Sequence, residues 1–279
     1  MIDFAAAKGP RLALDETSVL DIGACIVDGN DLAPGRAIPD DGDPRIDHSL
    51  EGFLFTCGPD HIRHPQPMTG AFEGKRYPLH GSFSSNPAKV LWTKFENGNA
   101  ECRADIDVVT AEGQAARLER HWRIDGSTGE VSLVDRVINT SSEAMPVFLM
   151  YHMNIGGKWF DDGIRLTGQM LEDGSLPWAF GKEGGDIFCV PARESGQDWA
   201  QVSLGPIAAI GGKSLRVHFG AETLPFLQVW RNQREPANVL GIEPVSHRWV
   251  SRAELQEAGE FNILQPGEAR NFMLNFAFV

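Results

Sequence analysis

An all-β fold, one large antiparallel β-sandwich, is what this sequence predicts, and three observations predict it. Short apolar or alternating runs recur along almost the whole chain, each bounded by Gly, Pro, Asn or Asp, the residues that make turns. Arg252–Glu260 is almost the only stretch that offers a helical pattern. No linker-like, low-complexity or repeated segment divides the 279 residues, so residues 1–279 are expected to form a single sandwich domain.

Taken in order, Val19–Val27 reads as a strand or strand pair ending in the turn Asp28-Gly29-Asn30. Residues 34–50, rich in Pro, Asp and Gly, read as an exposed loop. Gly52–Cys57 is the next strand. The polar segment Asp60-His61-Ile62-Arg63-His64-Pro65 follows it directly, and reads equally as a binding edge or as a solvated loop. Lys89–Trp92 and Ala104–Val109 continue the strand pattern. Leu118–Ile124 alternates with period two, turns at Asp125–Gly129 and returns as Glu130–Asn139, an antiparallel hairpin. Met145–Asn154 is apolar at nearly every position, as a strand buried on both faces requires. Residues 156–200 are rich in Gly and Trp and yield no clear strand. Ser214–Phe219, Phe226–Asn232 and Asn271–Phe278, the last entered through Pro266-Gly267-Glu268, complete the set.

Apolar residues make up 42% of the chain and aromatics 9%, enough for a sizeable core. A formal charge of −13 argues against nucleic acid and anionic membrane surfaces as partners. No apolar run approaches the ~20 residues that span a bilayer. Met1–Leu14 lacks a basic segment followed by an apolar one, so a cytoplasmic protein, monomer or homodimer, is expected. Cys25, Cys57, Cys102 and Cys189 show no CxxC spacing, which speaks for reduced thiols rather than a zinc site.

Chemistry is best sought where ionisable residues end apolar strands. Asn238-Val239-Leu240-Gly241-Ile242-Glu243-Pro244 sets one carboxylate in an apolar run, with a proline expected to end the ladder. A buried, unpaired glutamate is costly. Desolvation would raise its pKa toward the range in which a carboxylate both takes and returns a proton at neutral pH. His80, between Tyr77-Pro78-Leu79 and Gly81, and His152, closing the most apolar strand, occupy similar places. One histidine in such a place is usually structural; the case rests on the three together. His121 and His218 fall inside alternating strands, and His48, His64 and His247 in loops.

Two histidines and a glutamate fit several chemistries. A metal site would favour an HxH or HxxxH pair, which is lacking. A serine triad needs a nucleophile on a sharp turn, and no GxSxG occurs. A glycosidase needs two facing carboxylates, and only Asp60 is a candidate second. Acid–base catalysis with Glu as base and His as acid is the simplest remaining option.

The strings Tyr77-Pro78-Leu79-His80-Gly81, Tyr151-His152-Met153-Asn154 and Gly241-Ile242-Glu243-Pro244, in that order, resemble the aldose 1-epimerases, the galactose mutarotase family, and look most like a divergent branch of it. The lead-in Val137–Pro146 and the closing turn Leu264-Gln265-Pro266-Gly267-Glu268 are similar to that family as well, so the resemblance spans roughly residues 19–279. It implies an all-β, large antiparallel β-sandwich of the galactose mutarotase type with a sugar cleft across one sheet. It also implies a reaction without cofactor or metal. Glu243 would take the proton of the anomeric hydroxyl while His152 protonates the ring oxygen; the ring opens, rotates and recloses as the other anomer. His80 would hydrogen-bond the sugar near its ring oxygen. Better-known members have Asn before the second histidine and aromatic residues after it, where this chain has Tyr151 and Met153-Asn154. Their additional binding Asp has no match, and their binding Arg corresponds to Arg63 or Arg76.

Asp60, His61, Arg63, Arg76, Asn154, Trp230 and Arg231 are the expected sugar contacts. Cations on the surrounding loops, Arg63, Lys75, Arg76, Arg231 and Arg234, admit an acidic sugar (a uronate, phosphate or sulfonate) beside a neutral aldose. Of Trp159, Trp178 and Trp230, the last is the preferred stacking platform because it shares a strand with Gln228 and precedes the Glu243 segment. The rival readings are a noncatalytic carbohydrate-binding or sensor protein on the same fold, and a sugar lyase or hydrolase.

Overall fold

The protein, taken as a computed structural model, is described over residues 1–35, 43–193 and 196–279. In chain order its strands are β1 (Ile2–Phe4), β2 (Arg11–Asp15), β3 (Asp21–Val27), β4 (Asn30–Asp31), β5 (Leu54–Cys57), β6 (Lys89–Glu96), β7 (Asn99–Val109), β8 (Ala115–Ile124), β9 (Val131–Asn139) and β10 (Met145–Pro146). There follow β11 (Met150–Gly156), β12 (Arg165–Thr167), β13 (Ser175–Pro177), β14 (Gly185–Pro191), β15 (Trp199–Ile207), β16 (Lys213–Gly220), β17 (Phe226–Asn232), β18 (Val239–Val245), β19 (Ile263–Leu264) and β20 (Ala269–Phe278). Two short α-helices are α1 (Pro44–Glu51) and α2 (Arg252–Glu257).

Two large antiparallel sheets hold nearly all of these strands. One has the order β1-β2-β3-β5-β11-β18-β17-β14 with β4 added on β3; the other runs β13-β12-β15-β16-β20-β9-β8-β7-β6. This is the sandwich that the alternating sequence pattern predicts. In β8 the inward Ala116, Leu118, Arg120, Trp122 and Ile124 are buried, and the residues between them lie nearer to solvent. The hairpin from β8 to β9 pairs Ile124 with Val131 across its turn. Among the described residues no helix is long and apolar enough to cross a membrane.

The inter-sheet core contains a buried cation, Arg120. Arg120 grips Asp135 with Nε and Nη2 at 2.9 and 2.7 Å, and reaches across to the first sheet at Asp21 Oδ1 (2.9 Å) and Thr56 Oγ1 (2.6 Å). Tyr151 donates its hydroxyl to Asp135 at 2.9 Å. A charge in a low-dielectric interior is tolerated only when paired and hydrogen-bonded, and here two carboxylates do this.

Several elements differ from the sequence reading. Residues 34–50 are not all loop: α1 begins at Pro44, after Asp43 caps it by accepting from Arg45 N at 3.2 Å. Ile46 and Leu50, one turn apart, are its buried face. The remainder of that expected loop, residues 36–42, lies outside the described residues. Val19 and Leu20 take left-handed backbone angles, so the first long strand starts at Asp21. The run 145–154 divides into β10 and β11, and all of it but Pro146 is buried. β18 continues through Pro244 to Val245 rather than stopping before it. The segment 156–200 holds β12, β13, β14 and the start of β15.

Candidate functional site

Strand register brings the central side chains together. β5, β11, β18, β17 and β14 lie side by side, with Phe55 opposite His152, Glu243 opposite Gln228 and Gln228 opposite Cys189. β11 and β18 pair Met150 with Val245 and Met153 with Ile242, so His152 stands opposite Glu243 in the interval between. Pro244, opposite Tyr151, has no N–H to donate, and pairing is interrupted there. Directly opposed residues share a face, so Phe55, His152, Glu243 and Gln228 form one row across the sheet. That face is turned away from the inter-sheet core, into which the alternate residues Tyr151 and Ile242 point.

Within the row, His152 Nε2 lies 3.2 Å from Glu243 Oε1, and Gln228 Nε2 donates to Glu243 Oε2. The Phe55 ring stacks on the His152 imidazole with centroids 4.6 Å apart. In the neighbouring row Gly241 faces Trp230, and Trp230 faces Ile187. A Cβ at Gly241 would stand 2.5 Å from Glu243 Oε1 and 3.3 Å from the Trp230 ring, so only glycine leaves the carboxylate its place. Trp230 meets His152 edge-on at 5.5 Å.

His80 comes from a loop rather than a strand end. It holds a left-handed backbone with φ of 57°, rare for a residue with a side chain, followed by Gly81 at 82°. Two main-chain bonds fix it, from His80 N to Arg63 O at 2.8 Å and from Gly58 N to His80 O at 3.0 Å. Its ring Nδ1 is 3.3 Å from Ile62 O, and the ring meets His152 at 5.4 Å and Phe55 at 5.3 Å.

These side chains face a cavity of about 100 Å³. Leu50 of α1, Ile62, Leu79 and Ile187 supply its apolar wall, while Arg63, His64 and Trp249 line it beside the row. Burial raises Glu243 to about 8, against the opposing pull of the Gln228 hydrogen bond and the Arg63 charge. Burial lowers His80 to about 3, and lowers His152 well below the ordinary imidazole range with His80 adding to the effect. At neutral pH both imidazoles are therefore neutral, and the Glu243–His152 pair holds one proton, on the carboxyl. Glu243 Oε1, His152 Nδ1 and Arg63 Nε are buried without a hydrogen-bond partner among the described residues. Such atoms are costly unless a ligand completes them. No cluster of three His, Cys, Asp or Glu able to hold a metal occurs among the described residues.

The structure thus brings His80, His152, Glu243, Trp230 and Arg63 around one cavity and places the other expected contacts off it. The Asp60 carboxylate accepts from Ser82 N (3.0 Å), Ser82 Oγ (2.7 Å) and Ala111 N (2.7 Å), a tie between loops. His61 stacks on Tyr77 at 5.5 Å with Nε2 2.7 Å from His64 O. The 60–65 segment is thereby a packed wall, since Asp60, His61 and Arg63 are all buried. Arg76 is exposed and donates to Pro65 O. Asn154 holds Gly52 O at 3.3 Å, and Arg231 bonds Lys182 O and Gln233. Trp159 and Trp178 anchor to Asp31 O and Asp161 O.

Seven cavity residues were not among the expected site residues: Gln228, Leu50, Ile62, His64, Leu79, Ile187 and Trp249. Gln228 carried a signal, because it lies two residues before Trp230 in a strand and so shares its face. Ile187 arrives on β14, in the segment that yields no clear strand from sequence, and the others through loops and α1, where no periodicity reports a side chain's direction.

Similar folds occur among solved structures. A candidate aldose 1-epimerase from Klebsiella pneumoniae superposes with a TM-score of 0.76 at 18% identity, covering 97% of this chain and 77% of that one. The Slr1438 protein of Synechocystis gives 0.68 at 18% identity, with 96% and 91% covered. A galactose mutarotase related enzyme from Lactobacillus acidophilus gives 0.67 at 13% identity, with 100% and 97% covered. At these identities the likeness is one of fold. No curated protein matches the chain. Residues 31–171 and 186–278 match a family described as a domain of unknown function, DUF4432, and with this much of its length matched the chain belongs to that family.

Proposed function

We propose that the cavity binds a free aldose, neutral or acidic, and interconverts its anomers by opening and reclosing the ring. The observation that carries this reading is the buried Glu243–His152 pair, 3.2 Å apart and holding one proton, with Glu243 Oε1 unpartnered on the cavity side. Anomer exchange needs one group to remove the O1 proton and another to protonate the ring oxygen, and a pair sharing one proton supplies both. Oε1 and Nε2 are not aligned for a hydrogen bond with each other, so a bound hydroxyl can bridge them.

The resting proton sits on Glu243, the reverse of the protonation from which the expected roles start. Binding of the hemiacetal between the two groups moves that proton to His152. Glu243 then accepts the O1 proton as the C1–O1 double bond forms, and His152 gives its proton to the ring oxygen as the C1–ring oxygen bond breaks. After rotation about C1–C2 the same transfers run backward from the other face: Glu243 returns its proton to O1, His152 recovers the one it gave to the ring oxygen, and on product release that proton passes back to Glu243. His80, neutral and edge-on to His152, orients that imidazole and faces the ring oxygen. The like folds named as mutarotase relatives support the reading.

The test is saturation-exchange NMR of anomers over neutral and acidic sugars, with wild type against Glu243→Gln. Acceleration by wild type, reduced by a factor of about 10²–10⁴ in the variant, is expected. Binding of sugars without acceleration of any of them refutes catalysis.

A further inference from the structure

Arg63 and Arg120 are both buried, yet they are treated differently. Arg120 is matched by Asp135 and Asp21, whereas Arg63, 9% exposed, has no carboxylate at ion-pair distance among the described residues. Its Nη2 bonds two neutral acceptors, Gln228 Oε1 at 3.4 Å and His247 O at 3.1 Å, and its Nε bonds none. The guanidinium lies over the exposed Trp249 ring at 5.4 Å and lines the cavity. A buried cation that lacks a counter-charge is expensive, and the cheapest remedy is an anion delivered by the ligand.

We infer that the cavity takes a sugar bearing one negative charge at its exocyclic carbon C6, held by Arg63. This rests on the proposed ring-opening function, since it names the substrate class of the same site. The count of charges favours a monoanion: Arg63 is the one permanent cation lining the cavity among the described residues, and a phosphate dianion would leave a charge unmatched. Arg76, from the loop after Arg63, and Arg231, from β17, are tied to carbonyl oxygens away from it.

Position agrees with charge. The Gln228 amide bonds Glu243 through Nε2 and Arg63 through Oε1, so the guanidinium is one amide group from the proposed base. In a pyranose the ring oxygen is flanked by the anomeric carbon on one side and by C5 with its exocyclic carbon on the other. A ring-oxygen edge placed at Glu243 and His152 therefore carries a C6 acid group toward Arg63. Planar carboxylates suit a guanidinium fork, and tetrahedral sulfonates also present two oxygens to it. The Glu243–His152 pair, 3.2 Å apart, carries no net charge whichever member holds the shared proton, so an acid group meets no net repulsion from it.

The experiment measures binding by ligand-observed NMR and anomer exchange by saturation transfer. Its ligands are galactose, glucose, galacturonate, glucuronate, 6-deoxy-6-sulfoglucose and glucose 6-phosphate; its proteins are wild type, Arg63→Gln and Arg63→Lys. Wild type should bind a uronate or the sulfonate at least about tenfold more tightly than the parent hexose, the factor one charged hydrogen bond supplies. That ratio should collapse toward one in Arg63→Gln and survive in part in Arg63→Lys, which keeps the charge without the fork. Equal or tighter binding of the neutral sugars by wild type, or no binding of any, overturns the inference, as does glucose 6-phosphate binding more tightly than every monoanion. Should Arg63→Gln fail to fold, the wild-type ratio and the Lys variant decide. Preference for the acid without exchange leaves the anion site standing and removes the ring-opening reading; exchange of neutral and acidic sugars alike does the opposite.

Discussion

Glu243→Gln offers a direct measurement of the property on which the site depends, the raised pKa of a buried carboxyl. The variant keeps the side-chain shape and can still accept from Gln228 Nε2, but nothing at position 243 titrates. Glu243 has an ordinary pKa of 4.5 and titrates at about 8 in the fold, so folding favours its protonated form. The stability this contributes is complete below pH 4.5 and is lost as pH rises through about 8. Across that interval the wild-type unfolding free energy should fall, relative to the variant, by about 1.4 kcal/mol per pH unit and about 5 kcal/mol in total. Asp21, raised to about 6 by burial, and His80, lowered to about 3, also titrate, but they do so in both proteins and leave the difference unchanged. Urea unfolding at unit steps from about pH 5 to about pH 9 supplies the curves, with equal m-values as the check that the unfolded states match. A difference constant to within about 1 kcal/mol would refute the reasoning, because Glu243 would then ionise as it does in water.

Other expectations follow from single contacts. Arg120→Ala strands Asp135 in the core without its cation, so a loss of about 3–5 kcal/mol is expected, read as a fall of about 10 °C in Tm; an unchanged Tm would show the network to be dispensable. Gly81→Ala would force a Cβ onto the His61 carbonyl oxygen at a left-handed backbone position, and should cost more than about 2 kcal/mol by denaturant titration. Trp249→Ala removes a half-exposed ring from the cavity rim and should raise KM about fivefold, about 1 kcal/mol of sugar stacking. A KM equal to that of wild type would place the sugar away from Trp249.

The two-sheet architecture was legible because period-two alternation reports directly which side chains face a core, as in β8 and β9. Helix α1 was hidden by its own start signal. Asp43 and Pro44 look like loop residues in isolation, and only two buried positions, Ile46 and Leu50, mark its inner face. The sequence also could not show that Pro244 sits inside a central strand, since the tolerance comes from interrupted pairing with β11, a partner far away in the chain. Glu243 and His152 were visible as ionisable residues in apolar strands, but their distance depended on register between β11 and β18. Asp60 and His61 drew notice for their charge, and that charge serves packing: one carboxylate gathers three donors from two loops. Gln228 shows the opposite case, an uncharged residue that links Glu243 to Arg63.

The order of strands in the first sheet bears on how the chain is made. β11 is complete at residue 156, but its neighbour β18 ends only at residue 245. During synthesis from the N-terminus, one edge of a strand buried along its whole length stays unpaired while about ninety further residues emerge. Any ribosome-bound or truncated chain ending before β18 exposes an open hydrophobic edge and lacks Glu243, so it is at once prone to aggregate and unable to form the cavity. Completion of the sheet and appearance of the site are the same event.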